Sequence, residues 1–195
     1  MIDIRNAPIK NSDTSTWPIG TWLFPAHISG FAVTTPASAV AGLYPVVVPV
    51  KAHVTALAVY LKTLSAGGAI QLGLYADNNG SPAGGQLLAE TAEIDCSTGS
   101  GSLKSAAIDV ILPPGLYWLC SNNKVAGPIF ERISSAGVNK GAFFTTDTTL
   151  PFGSGMRGYV SAGIAYGPLP AVCPAVLPDN GSANIFPIVR MGNAA

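Results

Sequence analysis

The chain has 195 residues, 48% of them hydrophobic and only 10% charged, and its ten basic and ten acidic side chains cancel to a net charge of zero. So apolar a composition excludes disorder, and the zero charge offers no field to draw in nucleic acid or an anionic membrane. Gly 22 and Pro 16 interrupt helices throughout, which excludes a helical protein. The length suits one domain, or one domain with an arm. Soluble domains usually carry about 25% charged residues, so this surface is expected to live against partners.

Read in chain order, the N-terminus shows no apolar run behind a basic start. No secretory leader is expected, and assembly in a reducing cytosol fits best. Residues 14–50 contain no Asp, Glu, Lys or Arg, but Pro18, Pro25, Pro36, Pro45 and Pro49 cut them into pieces. None of the pieces reaches the ~20 apolar residues of a spanning helix, so no membrane insertion is expected. Residues 1–42 read as an extended arm and 43–195 as a β-sandwich domain. An exposed linker would be polar, because apolar side chains gain nothing from water. Trp17, Trp22, Leu23, Phe24 and Phe31 are therefore expected to form an assembly interface against another chain.

His53 to Lys62 is apolar on both faces, as a central strand covered on both sides would be. Ile70, Leu72, Leu74 and Ala76 alternate with Gln71, Gly73, Tyr75 and Asp77, the pattern of a half-buried strand. Asp77-Asn78-Asn79-Gly80 then supplies a turn. Gln86 to Asp95 and Ser102 to Leu112 are the next strands, the second with Ala106, Ile108, Val110 and Leu112 on one apolar face. Pro113-Pro114-Gly115 ends it. Leu116 to Cys120 follows, with Trp118 expected between the sheets beside inward-facing Leu74 and Ile108. Shorter strands are predicted over Pro128–Ser134, Ala142–Thr145, Tyr159–Ile164 and Ile185–Met191. Many short strands separated by turn residues predict an all-β, antiparallel, jelly-roll-like sandwich.

Little in the chain points to chemistry. Gly153-Ser154-Gly155-Met156-Arg157-Gly158 matches G-x-G-x-x-G, but neither a strand before it nor a helix after it is legible, so it reads as a loop and no cofactor is expected. Glu93 and Asp95, two apart on a strand with Glu90 nearby, are the carboxylates that could act on a glycosidic bond. A solvated strand face is the reading preferred here. His27 and His53 have no Cys or His at ligand spacing, so no metal site is expected. No nucleophile elbow exists, and the chain is read as a non-enzyme. Cys96, Cys120 and Cys173 are an odd set without a C-x-x-C pair, which argues against a disulfide framework. The sequons at Asn79 and Asn180 read as turn chemistry. Trp17, Trp22, Tyr75, Phe143, Phe144, Phe152, Tyr159 and Tyr166 are candidates for stacking on sugars, or for filling a core or a subunit interface.

The run Ile70-Gln71-Leu72-Gly73-Leu74-Tyr75-Ala76-Asp77-Asn78-Asn79-Gly80-Ser81-Pro82 is followed by Leu87-Leu88, a small-residue segment around Thr98-Gly99, and Leu112-Pro113-Pro114-Gly115-Leu116-Tyr117-Trp118-Leu119. This spacing resembles a jelly-roll module of tailed-bacteriophage virion proteins, the tail-fibre, minor-tail and capsid-decorating types. Leu43 to Val50 also looks like the segment before the first core strand there, and the resemblance covers about residues 40–135. It implies a non-enzymatic virion protein, most of all a capsid decoration or cement protein, with other phage structural proteins as partners and a homotrimer favoured. A tail-fibre role with a host surface glycan as ligand is the alternative. The resemblance carries no catalytic motif.

Overall fold

The strands of this computed structural model are, in chain order, β1 (Trp22–Leu23), β2 (Phe31–Thr34), β3 (Ala41–Val48), β4 (Ala52–Thr63), β5 (Ala69–Ala76), β6 (Leu87–Glu90), β7 (Ile94–Asp95), β8 (Ser102–Leu112), β9 (Gly115–Asn123), β10 (Ile129–Ile133), β11 (Tyr159–Ser161), β12 (Leu177–Pro178) and β13 (Ile188–Met191). The structure describes residues 22–23, 31–34, 40–125, 127–133, 158–178 and 187–192, with backbone alone for 22–23, 31–34, 131–133 and 178. No helix occurs among them.

Two antiparallel sheets form a sandwich. The long apolar run of β4 lies at the centre of the first. β8 pairs along one side of it, from Ala52↔Leu112 to Leu61↔Ser102. The other side is shared end to end by β13, which reaches Val54 through Ala58, and β10, which meets Leu61 and Thr63. The second sheet runs β12-β11-β3-β9-β5-β6, with β7 also on β5. The Pro113-Pro114 turn carries the chain from β8 in one sheet to β9 in the other. Pro45 sits in β3 beyond the stretch paired with β11, opposite Trp118. Beside an open edge the sheet accepts a residue without an N–H.

Period-two alternation decides which side chains fill the space between the sheets. Leu57, Val59 and Leu61 of β4 meet Ile70, Leu72 and Leu74 of β5 and Leu119 of β9 there, with Ala106, Ile108 and Val110 of β8 packed against them. Leu74 and Ile108 thus face inward as expected.

Trp118 does not. It is fully buried, but on the opposite face of the second sheet, with Leu43, Tyr75, Cys120, Ile164, Leu169 and Cys173. The correction follows from parity. Tyr117 and Leu119 belong to the inter-sheet core, so Leu116, Trp118 and Cys120 point away from it. Residues 162–176 lie over that outer face as a third, largely irregular layer. Gly73 lets the layer approach: a Cβ there would collide with Leu169 Cδ1.

Other boundaries moved for local reasons. The expected strand over Gln86–Asp95 is two strands: at Thr91 the backbone N–H still donates to Leu72 O at 2.9 Å, but the Leu72 N–H goes to Thr91 Oγ1 at 3.0 Å rather than to a backbone carbonyl. The turn after β5 holds Asn79 at φ 56° and Gly80 at φ 83°, where asparagine and glycine cost least. Gly158, the last glycine of the G-x-G-x-x-G run, lies so close to β3 that a Cβ would collide with Leu43 O. Its reason for being glycine is packing. The expected strand over Ala142–Thr145 lies outside the described residues.

The segment read as an arm meets the sandwich directly. Trp22 and Leu23 pair with Arg190 and Val189 of β13, and Phe31 to Thr34 pair with Ile133 to Phe130 of β10. Both pieces extend the first sheet. β3 begins at Ala41, two residues before the expected domain start.

Candidate functional site

Glu90, at the end of β6, and Glu93, in the link to β7, lie where the second sheet meets its irregular cover. Glu90 Oε2 accepts the Leu169 backbone N–H at 2.8 Å and Gln71 Nε2 at 3.2 Å. Glu93 Oε2 accepts the Tyr166 hydroxyl at 2.6 Å and Lys124 Nζ at 3.4 Å, and Lys124 also stands 5.8 Å over the Tyr166 ring. Asp95 turns the other way. Its Oδ1 accepts the Ser97 N–H at 2.9 Å and the Ser97 hydroxyl at 2.5 Å, and its Oδ2 the Thr98 hydroxyl at 2.6 Å.

These contacts hold Glu93 and Asp95 ionised. The Tyr166 hydroxyl, then Lys124, lower the Glu93 carboxyl below its ordinary range. The Ser97 and Thr98 hydroxyls, with the Ser97 N–H, hold Asp95 down at about 2. Glycosidic cleavage needs one carboxylic acid raised so that it can give up a proton near neutrality, and both shifts run the other way. Glu90 and Glu93 grip residues 166–169 of the cover, joined by Tyr75, whose hydroxyl donates to Pro170 O at 3.0 Å, and by Asn122, whose Nδ2 donates to Ala165 O at 2.8 Å. No local sequence signal announces such long-range anchors.

Glu93→Gln and Asp95→Asn keep an amide oxygen able to accept from the Tyr166 hydroxyl and from the Ser97 or Thr98 hydroxyls, and should change little. Exposed sites of this kind usually have small effects, so a melting shift within about 2 °C and unaltered assembly are expected. A larger loss, or loss of a glycan-cleaving activity, would contradict that.

The remaining candidates resolve as follows. His53 Nε2 lies 2.7 Å from Asp109 Oδ1, and His27 is outside the described residues. No cluster of three or more His, Cys, Asp or Glu able to hold a metal occurs among the described residues. Cys96, Cys120 and Cys173 are buried free thiols. Of the aromatic candidates, Tyr75 and Trp118 are buried, Tyr159 packs edge-on against Trp118 at 5.3 Å, and Tyr166 is bound to Glu93. Trp17, Phe24, Phe143, Phe144 and Phe152 lie outside the described residues. Trp22, Leu23 and Phe31 are placed by backbone pairing only.

Apolar exposure is concentrated on strands and cover. Tyr60, Leu103 and Ile111 are exposed on the outer side of the first sheet, and Val47, Leu88, Val172 and Leu177 on and around the second. Among the described residues no helix is long and apolar enough to cross a membrane. No family model, no curated protein and no solved structure matches the chain.

Proposed function

We propose that this chain is a non-enzymatic structural protein on the outer surface of a tailed-bacteriophage particle, a capsid decoration or cement protein assembled in the host cytoplasm. The observation that supports this best is the division of labour between polar and apolar groups. The carboxylates of Glu90, Glu93 and Asp95 close onto the chain's own backbone and side chains, while large apolar side chains are left exposed on the strands. A protein that clamps neighbouring subunits by apolar burial has that distribution, since interface cores are depleted of charge. Its partners are other structural proteins of the particle and further copies of itself. The jelly-roll resemblance of residues 40–135 supports the same role.

The segment before β3 carries the docking function in this reading, through Trp17, Trp22, Leu23, Phe24 and Phe31. Removing residues 1–40 would also strip β1 and β2 from the first sheet. The cleaner variant lacks residues 1–20 and carries Phe24→Ala. It should melt like the parent and fail to occupy particles that lack the native protein. Undiminished occupancy would remove the segment from the docking role.

A further inference from the structure

We propose that β8 is a self-association strand, with two copies pairing their β8 edges antiparallel about a two-fold axis at Ala107 so that the first sheet continues from one copy into the other. The inference does not rest on the particle reading and can fail without it.

β8 is eleven residues long and pairs with β4; among the described residues no strand pairs its other side. Its side chains alternate without a break. Ala106, Ile108 and Val110 pack on the core, while Leu103, Ser105, Ala107, Asp109 and Ile111 face out, Leu103 at 40% and Ile111 at 45% exposure. Proteins commonly blunt such an edge with proline, short length or a charge at the rim. β8 has no proline, and its two charged side chains are engaged within their own chain, Lys104 with its Nζ beside Gly99 and the outward-facing Asp109 with its Oδ1 2.7 Å from His53 Nε2 of β4.

The strand is also complementary to itself. For the sheet to continue, inward residues must oppose inward residues, so a symmetric pair can be centred only on a residue, not between two. Centred on Ala107, Leu103 faces Ile111, Ser105 faces Asp109, and Ala107 faces its own copy on the outer side. On the inner side Ala106 faces Ile108 and Lys104 faces Val110. No like charges meet, and the two exposed large apolar side chains cover one another, the cross-strand arrangement that stabilises a ladder. Centring on Ala106 sets Leu103 against Asp109. Centring on Ile108 sets Ile111 against Ser105. A register shift between Val54 and Ala56 gives β8 one residue more than β4 beside Ala107. The extra residue falls at Ile108 or Asp109, next to the axis in each copy, and the twist it adds is common to both.

A two-fold pair gives an even-numbered assembly, where the phage resemblance implies a trimer. The full chain should therefore show a solution mass twice its 19.9 kDa. Ala107→Cys should be joined to its own copy by a short bismaleimide, while Leu103→Cys should not, because its two copies stand about 27 Å apart at ~3.4 Å per residue. The native cysteines are buried and do not compete. Leu103→Lys with Ile111→Lys, which sets lysine against lysine twice, should reduce the mass to that of one chain without lowering the melting temperature by more than a few degrees. A monomeric parent would overturn the proposal, and so would a trimer that the double lysine variant leaves intact. Equal cross-linking at 103 and 107 would do the same, since it requires another register or another partner on this edge.

Discussion

Truncating Trp118 to alanine should destabilise the protein by about 3–5 kcal/mol, the range for removing a large aromatic side chain from a packed interior. The ring is fully buried in the layer between the second sheet and residues 162–176, edge-on to Tyr159. Its Nε1–H donates to Asp77 Oδ1 at 2.7 Å, while Asp77 Oδ2 accepts the Gly80 N–H that closes the turn after β5. One substitution therefore opens a cavity under the cover and removes a donor from a carboxylate that shapes a turn. Whole domains are stable by only ~5–15 kcal/mol, so a large part of the margin goes. Because the ring lies under the cover rather than between the sheets, residues 158–178 should become the first protease-sensitive segment. Trp118→Phe, which keeps a ring and loses the N–H, should fall between the two. Denaturant midpoints of the three proteins test this, and an unchanged midpoint for Trp118→Ala would contradict the placement.

The second large effect is alkaline loss of stability. Cys96 lies between the sheets, and Cys120, under the cover, meets Cys173, in the cover itself, in the outer cluster. Burial pushes the Cys173 thiol up to about 11, the Cys96 thiol up to about 12, and the fully buried Cys120 thiol strongly upward, against 9.0 when free. A raised folded value favours the native state's proton. The stabilisation it represents is complete below pH 9 and disappears as the pH climbs through the folded values, because the unfolded chain ionises first. At pH 10 each thiol favours the unfolded state by about 1.4 kcal/mol, and the three together by on the order of 4 kcal/mol. Tyr75 and Tyr166, also raised chiefly by burial, act in the same direction higher still. The denaturant midpoint should be flat from pH 7 to about 8.5 and fall steeply by pH 10. Replacing the cysteines with alanine should flatten that fall whatever it does to the midpoint at pH 7. A parent curve flat to pH 10 would contradict it.

How much the sequence revealed depended on whether a residue's partners were local. Ser102–Leu112 is the strand predicted, to the residue, because its alternation runs unbroken between Gly101 and Pro113. The Asp77–Gly80 turn was legible for the same reason: its asparagine and glycine answer to their own backbone angles. Burial of Trp118 was legible from its apolar neighbours, but its side of the sheet was not. β9 is apolar on both faces, and only the location of the cover tells them apart. That cover is irregular and carries no period. It is held by contacts from 43 to 95 residues away in sequence, such as Asn122 to Ala165 and Tyr75 to Pro170. The carboxylates looked like a polar strand face because nothing near them in sequence shows that Glu90 meets the Leu169 N–H. β1 and β2 are likewise defined by their pairing with β13 and β10, not by a pattern of their own.

A structural role on the particle surface is tested most directly by counting this chain in purified virions against the major shell protein. Quantitative mass spectrometry should find copies comparable in number to the shell subunits, released together with loss of shell stability. Absence from the particle would contradict the role outright, and a few copies confined to isolated tails would contradict decoration of the capsid.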